Sequence, residues 1–287
     1  MQTVVLWLAF GYVLFLVFLL SKKKRPWLMA ICALIGLVMT LLVSYTEPAL
    51  DDLRVTVMDV GQGQCVLFRT EEGNYLVDCG GSNDESAADT AAQTLLSQGI
   101  FRLDGIILTH YDKDHAGGVP LLLTRLDADA LYLPDIADDG SYREQLSRDY
   151  GDKITWVTED MAFGELCKFT LFAGDNGKSE NESGLCVLFQ GENCDILITG
   201  DRNSSAEREL VERVELPQLE LLVAGHHGSG SSTGFPLLSE TRPEMVAISV
   251  EKDNRYGHPA EELLERLERF DCQVWRTDLN GTLIFRR

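Results

Sequence analysis

The sequence predicts an α/β domain of layered sheets preceded by a two-helix transmembrane hairpin. Two observations carry this reading. The first fifty residues hold two uncharged apolar runs, each near the ~20 residues that span a hydrocarbon core as a helix. From residue 53 onward, short strand-like runs alternate with amphipathic helical segments, which is the pattern of packed sheet and helix layers. The expected organisation is a hairpin over 1–46, a linker over 47–52 and one domain over 53–287.

The apolar runs are Thr3 to Leu20 and Trp27 to Tyr45. Buried core helices usually stop at about 10–14 apolar residues, so a membrane hairpin fits better. Ser21-Lys22-Lys23-Lys24-Arg25-Pro26 between them is long enough only for a turn. Four positive charges in a short loop predict that the turn is cytoplasmic. Both chain ends and the large domain then lie outside, and membrane lipid is the first expected partner. The first run lacks a basic start, and no Ala-x-Ala-like site follows the second, against a cleavable signal peptide.

Charge narrows the function. The chain has 45 acidic and 25 basic residues, a net of −20. Residues 1–50 contribute four basic residues and Glu47, leaving 21 basic and 44 acidic residues in the rest, a net of −23. Phosphate binding draws its affinity from Lys and Arg, so a body this acidic is not a general nucleic-acid binder. Cys32 lies within the second apolar run. The other six cysteines (65, 79, 167, 186, 194 and 272) form no CxxC pair, so a thiolate metal site has no support, and disulfides stay an open question.

The domain opens with strand-like runs at 53–60, 64–69 and 74–77, separated by Gly61-Gln62-Gly63 and Glu71-Glu72-Gly73 turns. A helix follows over 87–96, with Ser86 placed to cap it. Further strands are expected at 106–108, 131–133, 154–157, 166–172, 185–190, 196–198, 219–223, 245–250, 273–276 and 282–285. Helices fit 204–214 and 260–270, the second with leucines at helical spacing. The polar, Gly-containing stretch 175–184 reads as a loop.

Chemistry collects where strands end. Ile106-Ile107-Leu108-Thr109 runs into His110-Tyr111-Asp112-Lys113-Asp114-His115-Ala116-Gly117-Gly118. Two imidazoles and two carboxylates within six residues suit Zn, Mn or Fe better than they suit packing. A second apolar run ends in Thr199-Gly200-Asp201, and a third in His226-His227-Gly228-Ser229. The fifth histidine, His258, precedes Pro259 and a helix. All five histidines sit at strand or helix junctions, none on a helix face.

This constellation resembles the metallo-β-lactamase superfamily and, within it, the soluble hydrolase domain of the ComEC competence family. The matching pieces also include Met58-Asp59-Val60-Gly61-Gln62-Gly63-Gln64, Val77-Asp78-Cys79-Gly80-Gly81, Asn181-Glu182-Ser183, Tyr256-Gly257-His258-Pro259 and Thr277-Asp278-Leu279-Asn280-Gly281-Thr282, in the same order over 53–287. The resemblance implies a four-layer αββα sandwich with two divalent metal ions, Zn or Mn, at one edge. His110 and Asp112 would belong to one metal. Asp114, His115 and a strand-end His, assigned to His226 with His227 as the alternative, would belong to the other, and Asp201 would bridge them. Many superfamily members have His in place of Asp112 and a further His before the bridging Asp. Here no His lies between 115 and 226, so the first metal site is expected to be weaker, more solvated or completed by substrate. The added oxygen donors shift the metal from Zn towards Mn.

The expected activity is metal-assisted hydrolysis of a phosphodiester. Asp114 would bind metal and steer the attacking water. His227 and His258 would hold phosphoryl oxygens or protonate the leaving group, or else support a neighbour and start a helix, respectively. Asn181, Ser183, Ser229, His227 and His258 form the expected substrate side. Three readings follow: a membrane-anchored nuclease or phosphodiesterase on single-stranded DNA in a DNA-uptake setting, a hydrolase of a small or cell-wall phosphoester, and a non-catalytic partner of a membrane channel. The ComEC family carries a long channel segment that this sequence does not show, so a separate membrane channel is a further expected partner.

Overall fold

A computed structural model describes residues 2–20, 25–46, 52–138, 140–175 and 179–287. The chain divides into two compact units, Met1–Asp52 and Leu53–Arg287. In the first unit, α1 (Gln2–Leu20) packs against α2 (Pro26–Thr46). Pro26 opens α2, where its missing N–H and fixed φ are harmless. A Cβ at Gly36 would stand 2.5 Å from the Phe10 ring, so the two helices meet through that glycine.

Among the described residues no helix is long and apolar enough to cross a membrane. The expectation of two spans is corrected to this extent: the structure supplies an apolar helix pair, not a crossing. The Lys22–Lys24 part of the turn, on which the orientation rests, and linker residues 47–51 lie outside the described residues.

The second unit contains two seven-stranded sheets. In the first, β1 (Leu53–Val57), β2 (Val66–Thr70), β3 (Asn74–Val77), β4 (Arg102–Ile107), β5 (Asp127–Pro134), β6 (Ile154–Val157) and β14 (Leu283–Arg286) run in the order β14-β1-β2-β3-β4-β5-β6. The second comprises β7 (Met161–Phe163), β8 (Lys168–Phe172), β9 (Cys186–Gln190), β10 (Asp195–Ile198), β11 (Leu221–Val223), β12 (Met245–Ile248) and β13 (Gln273–Arg276), in the order β13-β12-β11-β10-β9-β8-β7. Each sheet has three antiparallel pairings followed by three parallel ones. The sequence shows no repeat because only the pairing pattern recurs.

Strand alternation builds the layers. Val66 and Phe68 of β2, and Ile196 and Ile198 of β10, face the space between the sheets. The residues between them, Leu67 and Leu197, face outward under helices. The first outer layer is α3 (Asp84–Ser97), α5 (Val119–Leu123) and α6 (Tyr142–Tyr150), burying Leu95, Leu122 and Leu146. The second is α8 (Ser204–Arg213), α9 (Phe235–Thr241) and α10 (Glu261–Arg269), burying Leu210, Leu237, Leu238, Leu263 and Leu267. The αββα sandwich is therefore present, and its central layer is aromatic-rich: Phe169 packs on Phe68, Tyr75, Phe163 and Phe189.

Several local expectations change. Asn83 rather than Ser86 caps α3, its Oδ1 accepting the Ser86 N–H at 3.1 Å. The 175–184 stretch contains the short α7 (Glu180–Ser183), started by a Ser179/Glu182 capping box. Helices α6 and α9 and strand β7 were not foreseen. The exposed face of α6 dilutes its apolar signal to Leu146 alone as a buried residue. The described cysteines are free thiols, which answers the disulfide question.

Candidate metal centre

Parallel strands place the site. Ile198 of β10 is level with Val223 of β11. Three residues past each come Asp201 and His226, and three past Ile107 of β4 comes His110. All emerge at carboxyl ends of strands, where open α/β sheets put their ligands.

The loop after β4 is held from below by two glycine-rich pieces. The Gln64 N–H donates to the Asp114 carbonyl at 2.9 Å, and the Cys79 N–H to the His115 carbonyl at 2.8 Å. A Cβ at Gly80 would lie 2.2 Å from backbone atoms of Asp114 and His115, so only glycine permits this approach. The loop then turns into the one-turn α4 (Lys113–Ala116), whose N-cap Asp112 makes no side-chain cap bond and keeps its carboxylate free.

Asp78 organises the imidazoles. Its buried carboxylate accepts from Gln64 Nε2 (2.7 Å), the Thr109 N–H (2.7 Å), the Thr109 hydroxyl (2.7 Å) and His115 Nδ1 (2.8 Å). A carboxylate only accepts, so the proton of neutral His115 sits on Nδ1 and its Nε2 presents a lone pair. The Thr109 hydroxyl gives its proton to Asp78 and so accepts from His110 Nδ1 at 3.0 Å. That leaves His110 Nε2 as a lone pair, and it is buried with no hydrogen-bond partner. His227 Nδ1 points at the Ser249 carbonyl, 3.2 Å away, which frees its Nε2 in the same way.

These lone pairs converge. Asp114, His115, Asp201 and His227 offer ligand atoms that all lie within 4.8 Å of one another. His115 Nε2 is 3.0 Å from Asp201 Oδ1 and 3.3 Å from His227 Nε2, which is 3.3 Å from Asp114 Oδ2. The other oxygen, Asp201 Oδ2, faces His110 Nε2 at 3.9 Å and His226 Nε2 at 3.5 Å. Asp112 Oδ2 lies 3.5 Å from His110 Nε2. Asp201 thus presents one oxygen to each half of the site. In their neutral tautomers the imidazoles bring acceptors to meet acceptors, which is stable only around a cation.

Electrostatics agree. Burial opposes charge on Asp201, but the imidazoles of His115 and His227 overcome it and hold the carboxyl well below the usual range. Burial also opposes charge on Asp114, and its bond to His227 again wins, keeping it ionised. Burial would lower His115, yet Asp201 and Asp78 raise it well above an ordinary imidazole. The field that attracts a proton there attracts a divalent cation equally.

Of the expected ligands, the structure brings together His110, Asp112, Asp114, His115, Asp201 and His226. The assignment of the two adjacent histidines is corrected. His227, not His226, faces Asp114 and His115, while His226 joins the half that seemed short of an imidazole. The cause is local backbone: His226 and His227 both have left-handed φ, 49° and 53°, so the chain coils tightly and sends the two rings to different halves. Glu207 holds this coil. Its buried carboxylate accepts the Thr233 and Gly234 N–H groups at 2.7 Å each, and Thr233 Oγ1 accepts the Gly225 N–H at 3.0 Å.

Burial pushes the Glu207 carboxyl up to about 7. Between pH ~4.5 and 7 the folded state therefore binds a proton that the unfolded chain has released. Glu207 then contributes stability below pH ~4.5 that is lost as pH rises through 7. Urea titrations of wild type and Glu207→Gln should show the wild-type advantage shrinking by up to ~3 kcal/mol from pH 4.5 to 8. A pH-independent difference would reject this account.

On the substrate side, His258 stands at the rim, its ring 5.8 Å from that of His226. Burial and the neighbouring His226 and His227 lower its pKa, so it is neutral at pH 7. Two expected hydroxyls are instead engaged in the fold. Ser183 Oγ donates to the Asp175 carbonyl, and Ser229 Oγ pairs with Ser231 Oγ. Asn181 lies on α7 between Glu180 and Glu182, which accept from the Tyr111 N–H and Asn203 Nδ2. Asp78, Thr109 and Gln64 had no role assigned from sequence; a buried carboxylate directly after a strand was the available signal.

The αββα fold and this set of His and Asp donors fit a divalent-metal site in a known architecture. Residues 58–241 match the metallo-beta-lactamase superfamily, and the chain belongs to it. Within it the chain is similar to competence proteins of the ComEC family. It is 28% identical over 296 residues to ComE operon protein 3 of Bacillus subtilis, covering 96% of this chain and 38% of that one. It is 32% identical over 266 residues to competence protein ComA of Neisseria gonorrhoeae, covering 91% and 35%. The chain thus spans little more than a third of these relatives' length. The metallo-beta-lactamase fold protein YhfI from Bacillus subtilis shares the fold with TM-score 0.54 at 14% identity, over 83% of this chain and all of that one.

Proposed function

We propose that this protein is a dinuclear metal-dependent phosphodiesterase that acts on single-stranded DNA in a competence-related setting. The observation that carries it is the convergence of imidazole nitrogens and carboxylate oxygens on the two oxygens of Asp201, with ligand atoms of Asp114, His115, Asp201 and His227 all within 4.8 Å of one another. Asp114, His115, His227 and Asp201 would hold one ion, and His110, Asp112, His226 and Asp201 the other. Imidazole with carboxylate suits Zn or Mn. Bound divalent metal supplies a water of lowered pKa and a Lewis acid for the developing phosphoryl charge.

The chain's own residues do the rest. Asp114 Oδ2, half-exposed at the floor, orients the attacking water. Asp78 fixes the tautomers of His115 and His110 and keeps their lone pairs inward. His258, neutral and at the rim, donates a hydrogen bond from its ring N–H to a phosphoryl oxygen and so helps to hold the substrate. Asn181 is assigned to the substrate side with it. The apolar pair α1 and α2 serves as a membrane attachment, with a separate membrane channel as partner. Carbonate-resistant pelleting of the full chain tests the attachment, and a reporter fused after Arg287 shows which side of the membrane the domain occupies.

The deciding experiment incubates the full chain with Mn²⁺ or Zn²⁺ and follows cleavage of an oligothymidylate and of bis(p-nitrophenyl) phosphate, with His115→Ala as control. Metal-dependent cleavage of DNA by wild type alone is expected. Cleavage of only the small ester would move the substrate to a small or cell-wall phosphoester. Metal removal gives an independent readout. A ligand at 1,000 times its Kd stabilises by ~4 kcal/mol, so chelation should lower the Tm by roughly 10 °C. An unchanged Tm would count against a bound metal.

A further inference from the structure

A cleft of about 380 Å³ opens beside Asp114. Gln62, Ser82 and Lys113 line it from the loops of the first sheet, and Glu251, Arg255 and Tyr256 from the loop after β12. The first wall is held by the Gln62 N–H, which donates to Ser82 Oγ at 2.8 Å, and the two walls are tied together by Gln62 Oε1, which accepts the Glu251 N–H at 3.3 Å. Asn254 stiffens the second wall. Its Oδ1 accepts the Tyr256 and His258 N–H groups, and its Nδ2 donates to the carbonyls of Glu251 and His258.

This arm reaches the metal centre through stacked rings. The Arg255 guanidinium lies 4.8 Å over the Tyr256 ring and donates to its hydroxyl at 2.6 Å. Tyr256 stacks on His258 with centroids 5.8 Å apart, and His258 meets His226. Tyr256 is 53% exposed, a surface on which a base can stack. In a domain with a net charge of −21 (21 basic and 42 acidic residues over 53–287), two cations on opposite walls of the cleft next to the site are a specific placement. Among the described residues Lys113 pairs only with Asp84, across 3.6 Å at an exposed position, and such pairs re-partner at little cost.

We propose that Lys113 and the Arg255–Tyr256 arm form a second phosphate subsite that selects a single-stranded nucleic-acid chain over a small phosphodiester. The proposal rests on the phosphodiesterase reading above. A small diester has one phosphate, which belongs at the metal centre and leaves these cations without a ligand. A chain brings a neighbouring phosphate into the cleft, where a planar guanidinium binds it through paired hydrogen bonds.

The test compares Lys113→Ala and Arg255→Ala with wild type on oligothymidylate and on bis(p-nitrophenyl) phosphate, using the full chain. Each variant should lose about 10- to 100-fold in kcat/KM on the oligonucleotide, the worth of one charge-assisted contact. Loss on the small ester should stay within about twofold. The salt dependence of oligonucleotide binding should fall by about 0.7 in log–log slope per variant, as for one released counterion on a single strand. Equal losses on both substrates, or an unchanged slope, would overturn the proposal. Should wild type cleave neither substrate, the phosphodiesterase reading fails, and the slope of oligonucleotide binding still decides the subsite by itself.

Discussion

Replacing Asp201 with Ala should abolish activity, by about a thousandfold or more, and should empty both halves of the site together. Asp201 presents one oxygen to each half of the site. Oδ1 lies against His115 and Oδ2 against His110 and His226. It is buried, with 3% of its side chain exposed, so no solvent molecule substitutes freely for it. Losing one partner from a buried charged set costs about 3–5 kcal/mol, which is a factor of ~10²–10⁴ in rate. The check is metal stoichiometry measured alongside kcat/KM. Retention of two ions per chain by Asp201→Ala would show that it does not bridge them.

His227→Ala and His226→Ala should behave differently, although the residues are neighbours. The His227 side chain is 2% exposed and that of His226 is 37% exposed. His227 closes the buried half with Asp114, His115 and Asp201. Its loss should remove that ion and cost about a thousandfold in kcat/KM. His226 belongs with Asp112, whose side chain is 44% exposed, so water can replace its imidazole. Its loss should cost about 10- to 100-fold and be largely recovered at higher metal concentration. Activity titrated against metal for both variants is the measurement. The reverse order of severity would return His226 to the buried half.

Much of the site was legible before the fold was known, for a physical reason. Metal ligands must be His or carboxylate, and they must sit where backbone turns away from a strand. The apolar runs before His110, Asp201 and His226 mark those turns. The alternation of short apolar runs with helical segments likewise gave an α/β architecture of layered sheets, because only one face of a strand or helix can meet a core, while the αββα order itself was implied by the family resemblance. Less legible were segments whose burial is slight, such as α6, or whose helix is one turn long, such as α7.

What only the tertiary structure decided is which lone pair meets which. Whether His226 or His227 points into the buried half depends on two consecutive left-handed residues, and the carboxylate that holds them in place lies on another helix. The role of Asp78 is similar: its partners Gln64, Thr109 and His115 come from separate segments, and only their approach fixes where each proton sits. The local sequence determined that strands, turns and ligand types would occur at these positions. The pairing of those positions depends on contacts between residues far apart in the chain, and such contacts have no local signature.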